Sequence, residues 1–106
     1  MAFKIFVMPS AISDLEDYTN FVAEDSLDRS RTWLQGAWEQ IFSLAEMPER
    51  FSVIDESEEL GQELRDLIYH SHRIVYRIDR ESERVEILRV WHCARRALGV
   101  PDVTNG

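Results

Sequence analysis

The sequence predicts an α+β fold, a helical hairpin packed on a small, mainly antiparallel sheet, with elements in the order β-α-α-β-β-β. Three patterns lead there. Apolar residues recur at helical spacing at Leu34, Ala37, Trp38, Ile41, Leu44 and Ala45. Ile74, Tyr76 and Ile78 alternate with Arg73, Val75 and Arg77, the period of a half-buried strand. A further strand-like run, Arg84 to Trp91, follows after only the Asp79–Glu83 turn, so the two pair as a hairpin.

Each element can be justified in order. Phe3 to Met8 is a short apolar run, read as the first strand, and Pro9 stops it while suiting the first turn of a helix. From Ser10, an apolar stripe of Ile12, Leu15, Tyr18 and Val22 is interleaved with Asp14, Glu16, Asp17 and Asn20. That is an amphipathic helix with an acidic outer face, its early carboxylates expected where the helix dipole favours them. Glu24-Asp25-Ser26 breaks the pattern, and Asp25 or Ser26 can cap the second helix. So short a break makes the two helices an antiparallel hairpin. Gly36 costs roughly 1 kcal/mol against Ala inside a helix, and is expected to let the partner helix approach. Met47-Pro48 ends the second helix. Residues 48–62 have no periodicity and hold Glu49, Asp55, Glu56, Glu58 and Glu59, so they read as a long acidic loop. Leu64 to Tyr69 is the weakest strand, joined to the next through His70-Ser71. One domain is expected over residues 1–98, with residues 99–106 a flexible tail.

A chain of 106 residues is sized for one core. Its apolar fraction, 44%, is too high for a disordered segment. No apolar run approaches the roughly 20 residues that span a bilayer, and the N-terminus has no signal-peptide pattern. The single Cys93 suits a reducing compartment, so a cytoplasmic location is expected. The net charge of −8 disfavours nucleic acid as a generic electrostatic partner. The charge is uneven, however. Residues 1–64 hold four bases against fourteen acids, and residues 65–96 hold eight Arg against five acids. The back half therefore presents either a functional basic patch or a solvated sheet face whose Arg pair with nearby carboxylates.

Few residues are suited to chemistry. His70 and His72 have no Cys or His cluster near them, and His92-Cys93 is a lone pair on alternate strand faces, so no metal is expected. No Gly-rich phosphate loop or serine-nucleophile elbow is present, and no cofactor is expected. There remain Arg65, Arg73, Arg77, Arg89, His92, Arg95 and Arg96. Guanidinium forks hold phosphate at two points, and an imidazole moves protons near neutral pH. Together they could cleave RNA without metal, a base taking the 2′-hydroxyl proton while Arg stabilises the phosphorane. Of the three Trp, Trp38 lies on the core stripe. Trp33 lies off its centre and suits a partner contact. Trp91, on the strand face opposite Leu88 and Val90, fits either role.

Arg73-Ile74-Val75-Tyr76-Arg77-Ile78, followed by Val85 to Arg96 with its Ile87-Leu88-Arg89-Val90-Trp91-His92 core, resembles the C-terminal half of RelE/ParE toxins. The front half is similar too, in Leu15 to Tyr18, Ala23-Glu24-Asp25 and Leu44 to Pro48. The resemblance spans residues 3–98. It implies a toxin of a type II toxin–antitoxin system, bound by a cognate antitoxin that adds a strand or helix to exposed apolar surface. It also implies a fork. ParE-like members poison DNA gyrase, and RelE-like members cleave ribosome-bound mRNA. If the chain is a ribonuclease, Arg73 and His92 carry over best as catalytic residues, with Arg65 and Arg89 suggested by location. Trp33, Arg77, Trp91, Arg95 and Arg96 are the partner-binding candidates. The single Lys and the acidic stretch at residues 49–63 depart from the ribosome-binding pattern, and the Arg89-to-Arg96 ending is closer to the ParE branch. Gyrase is therefore the expected target. A family member that has lost toxicity and only binds its partner is the third reading.

Overall fold

The computed structural model describes residues 2–104. Strand β1 (Lys4–Val7) leads into helices α1 (Pro9–Ala23) and α2 (Leu27–Ser43). A 3-10 turn at Pro48–Arg50 and the single-turn helix α3 (Ser57–Leu60) precede β2 (Arg65–Tyr69), β3 (His72–Asp79) and β4 (Arg84–His92). A short α4 (Val100–Thr104) follows. The strands lie in the order β1-β4-β3-β2; β2–β3 and β3–β4 are antiparallel, and β1 runs parallel to β4. The fold is α+β, as the sequence patterning predicts.

Local chemistry accounts for the helix starts. Pro9 occupies the first turn of α1 after the extended Met8, and the Ser26 hydroxyl accepts the Arg29 N–H at 3.2 Å to cap α2. The first turn of α1 holds no acid, contrary to expectation; Asp14 lies deeper in the helix and is tied to β4.

The hairpin buries its stripe on one sheet face. Ala11 and Leu15 of α1 and Ala37 and Ile41 of α2 meet Leu67, Ile74, Tyr76, Val85, Ile87 and Val90. Each such large side chain contributes about 1.5–3 kcal/mol by leaving water. The buried Tyr76 hydroxyl donates to the Pro48 carbonyl, and burial pushes its phenol up to about 12. Gly36 serves a different neighbour from the one expected. A Cβ there would lie 2.1 Å from the Tyr69 hydroxyl of β2, so the missing side chain admits a strand tyrosine rather than α1.

The opposite face is covered as well. Ile54, Leu64, Val75, Leu88, Trp91, Leu98 and Val103 form a second core. Two expectations are corrected here. The stretch at residues 48–62 is not a structureless loop: it contains the 3-10 turn and α3, and the Ser57 hydroxyl fastens it by bonding both the N–H and the carbonyl of Leu64. Residues 100–104 are not a frayed tail: they form α4, whose Val103 is buried. Positions 105 and 106 of the expected tail lie outside the described residues.

A bulge in β4 re-aims its side chains. Val75 pairs with Arg89 but Tyr76 with Ile87, so Leu88 is an extra residue. Ile87 and Val90 therefore both face the hairpin, while Leu88 and Trp91 share the second core. Simple alternation had placed Leu88 and Trp91 on opposite faces.

Candidate functional site

The arginines expected to hold phosphate already hold carboxylates. Arg73 points away from the hairpin, as its alternation requires, and grips Glu56 through Nη1 and Nη2 at 2.7 and 3.0 Å and Asp66 through Nε at 2.7 Å. That guanidinium holds the Glu56 carboxyl well below the ordinary range, at about 2, even though burial opposes the shift. Arg89 lies beyond the last β1 pair, Val7↔Ile87, and clasps Asp14 of α1 with two hydrogen bonds. Arg77 binds Glu86 and Gln62 at 2.7 Å each. Arg65 donates to the Phe51 and Glu49 carbonyls, and Arg96 pairs with Asp102. Of the two readings of the back-half arginines, ion pairing with nearby acids describes these side chains. Arg95 differs: exposed, without an ion pair among the described residues, it lies over the Trp91 ring at 3.7 Å.

The partner-contact candidates divide in the same way. Trp91 is 0% exposed, a core residue whose indole N–H donates to the Arg96 carbonyl, which corrects its assignment to a partner surface. Trp33 is half-buried between Tyr18, Tyr69 and His72. Arg95 and Arg96 remain on the surface, and Arg77 is partly buried in its ion pair.

His92 sits in a cleft of about 220 Å³ lined also by Asp17, Tyr18, Phe21, His72 and Arg95. It forms where α1 crosses the end of the β3–β4 pair, at which His72 and His92 are register partners. Their rings meet edge to face with centroids 4.8 Å apart, and Tyr18 packs on His72 at 4.3 Å. His72 is 3% exposed, and its Nδ1 has no hydrogen-bond partner among the described residues. Burial first, then repulsion from His92, lowers its imidazole to about 4, with Asp14 opposing. His72 is therefore neutral at physiological pH. Nδ1 of His92 accepts the Ala94 N–H at 3.0 Å, which leaves Nε2 to carry the proton of a neutral ring.

This arrangement separates the two residues expected to work together. His72 and His92 share the hairpin side with Tyr18, whereas Arg73, the next residue along β3, projects from the other side into Glu56 and Asp66. The cleft is lined by two imidazoles and by Arg95, but by neither Arg73 nor Arg65. No group of three or more His, Cys, Asp or Glu among the described residues is placed to hold a metal ion. No helix among them is long and apolar enough to cross a membrane.

The sequence reading missed His72, Tyr18 and the Asp14 clasp. Nothing local marks them. His72 matters only through its pairing with His92, Tyr18 lies on an apolar stripe, and Asp14 meets Arg89 across 75 positions.

Comparisons with known proteins agree with the geometry. A family model described as the ParE toxin of the type II toxin–antitoxin system parDE matches residues 5–97. Among solved structures, the chain is similar to one in the RelBE2 toxin–antitoxin complex of Mycobacterium tuberculosis. The TM-score is 0.64 and the identity 22%, over 87% of this chain and 99% of that one. It is also similar to a chain of the chromosomal ParDE system of P. aeruginosa, with TM-score 0.67 and 19% identity, over 86% and 96% of the two chains. At these identities the likeness is one of fold. No curated protein sequence matches the chain significantly.

Proposed function

Because the chain belongs to the ParE toxin family of type II toxin–antitoxin systems, we propose that it arrests growth by binding DNA gyrase, without cutting RNA, and is neutralised by a cognate antitoxin. The observation that carries the reading is the separation of Arg73 from His92 by the sheet. Metal-free cleavage of RNA needs a cation on the phosphorane beside the proton-transfer group. Here Arg73 and Arg89 are neutralised by Glu56, Asp66 and Asp14, freeing either costs a partly buried ion pair, and Arg95, the cation that does line the cleft, is laid over the Trp91 ring. A toxin that acts by binding has no such requirement. The net charge of −8 supports the same choice, since it disfavours general affinity for RNA.

The test is expression in growing cells with two readouts, gyrase–DNA cleavage complexes and cuts in translated mRNA. Gyrase complexes that persist in His92→Ala are the expected result. Codon-level cuts that vanish in His92→Ala, with no gyrase complexes, overturn the proposal in favour of a ribonuclease. Unimpaired growth with neither effect leaves a binding protein without toxicity.

A further inference from the structure

We propose that His72 and His92 form a chelating pair for a borderline divalent transition metal of the Zn(II) class, a site that stands whichever target the toxin acts on. The two residues are register partners at the end of the β3–β4 pair. Just beyond them the Cys93 N–H donates to the Ser71 carbonyl at 2.7 Å. Residues 71 and 93 are therefore a hydrogen-bonded pair, and His72 with His92 is the non-hydrogen-bonded kind, whose side chains stand closest across an antiparallel ladder. Here the ring centroids are 4.8 Å apart. Two imidazoles on one tetrahedral ion, at Zn–N distances of about 2.0–2.1 Å, have centroids roughly 5 Å apart. Neither strand need move to seat the ion.

The ring nitrogens fit the same ligand. Nδ1 of His92 is taken by the Ala94 N–H, so Nε2 is the atom it has to offer. The His72 ring is buried, yet it lines the cleft and has an Nδ1 without a hydrogen-bond partner among the described residues. A buried ring nitrogen left unpaired costs free energy that a ligand on this ring can return. Asp17, exposed on the α1 side of the cleft, adds negative charge, while the Asp14 carboxylate is already occupied by Arg89 and the Val90 N–H. Arg95 opposes a cation, but its guanidinium is held over the Trp91 ring at 3.7 Å. Imidazole nitrogens select Zn, Cu or Ni over Mg and Ca, which take oxygen. No third His, Cys, Asp or Glu among the described residues completes a ligand set, so water fills the remaining positions and the ion is exchangeable rather than structural. A bound ion ties the ends of β3 and β4 together and occupies the His92 nitrogen that otherwise exchanges protons.

The experiment titrates Zn(II) into the chelator-treated full chain, with a chromogenic chelator as competitor and the histidine ring resonances followed by NMR. Zn(II) is the probe because Cu(II) would oxidise the exposed Cys93 thiol. One ion per chain is expected, with the His72 and His92 rings shifting together and His70, in the turn against Tyr69, unmoved. Mg(II) in large excess should not compete. His72→Phe, which keeps a ring between Tyr18 and Trp33, should weaken binding at least about tenfold, the scale on which even outer-shell partners act. His92→Gln, at a half-buried position, should do the same, and keeps the test decisive if His72→Phe fails to fold. Cys93→Ser and His70→Ala, both at exposed positions, should bind as the parent does. Zn(II) should also raise the melting temperature of the parent and of Cys93→Ser, but not of His92→Gln. Unchanged affinity in His92→Gln overturns the proposal, as does loss of binding in Cys93→Ser or His70→Ala.

Discussion

Asp14 of α1 and Arg89 of β4, 75 positions apart, are joined by two hydrogen bonds of 2.8 and 2.7 Å, and the same carboxylate accepts the Val90 N–H at 2.9 Å. The side chains are 11% and 15% exposed. One carboxylate thus fixes the hairpin to the central strand and sets the wall of the His72–His92 cleft. Asp14→Ala leaves the largely buried Arg89 guanidinium with only the longer Asp102 contact, at 3.8 Å, and is expected to cost about 3 kcal/mol. Arg89→Ala should cost a similar amount, and the double variant less than the sum. Urea denaturation of the four proteins measures the coupling. A coupling below about 1 kcal/mol would class the pair with exposed ion pairs.

The buried imidazole of His72 makes folding sensitive to mild acid. Its value falls from the ordinary 6.5 to about 4, so between those limits the unfolded chain binds the proton more readily than the folded one. Stability from this group is full above pH 6.5, declines as pH falls, and reaches its floor near pH 4. His72→Phe, which keeps a ring between Tyr18 and Trp33, should remove that slope. Imidazole proton shifts followed by NMR should show one histidine titrating near pH 4; a His72 midpoint at or above 6.5 would contradict the burial argument.

Glu56 acts in a lower window. Arg73 depresses its carboxyl from 4.5 to about 2, so its contribution is complete above pH 4.5 and is lost as pH falls towards 2. The carboxylate also accepts the Leu98 N–H at 3.3 Å, which ties α3 and the segment before α4 to β3. Glu56→Gln should flatten the stability curve below pH 4.5 and leave the His72 slope unchanged. Hydrogen exchange at neutral pH should show residues 97–104 opening first in that variant. Unchanged protection there would mean the latch contributes nothing to holding the segment.

Gly36→Ala should destabilise, although Ala favours helix by about 1 kcal/mol. The new methyl would stand 2.1 Å from the Tyr69 hydroxyl, forcing that ring away from its hydrogen bond to the Trp33 carbonyl. A net loss of about 1–3 kcal/mol is expected from the overpacking. Tyr69→Phe in the same chain removes the closest clash and should recover part of it. Thermal melts of the two single variants and the double variant decide the point, and a stabilised Gly36→Ala would show that Tyr69 yields without cost.

The hairpin and the β3–β4 pair were legible because their signals are local. Ala37 and Ile41 recur at helix spacing, Ile74 and Tyr76 alternate, and Ser26 caps as its side chain dictates. What escaped depends on distant pairing. The Leu88 bulge shifts every later side chain of β4, yet it exists only against β3. The folded state of residues 48–62 and 100–104 rests on Leu64, Val103 and Ser57 meeting the sheet, not on any period of their own. The concentration of arginine in the back half is plain in the sequence, but identity alone does not tell a phosphate clamp from a clamp on Glu56.

The position of β4 has a consequence for synthesis. This strand stands between β1 and β3, and Lys4 at the start of the chain waits for Arg84 to complete its pair. A chain cut short before residue 84 therefore has the helical hairpin, the β2–β3 pair and a first strand without its neighbour. Such a fragment has neither the His72–His92 cleft nor the Asp14–Arg89 clasp. Closure of the sheet waits for β4, and pairings so distant in sequence form slowly.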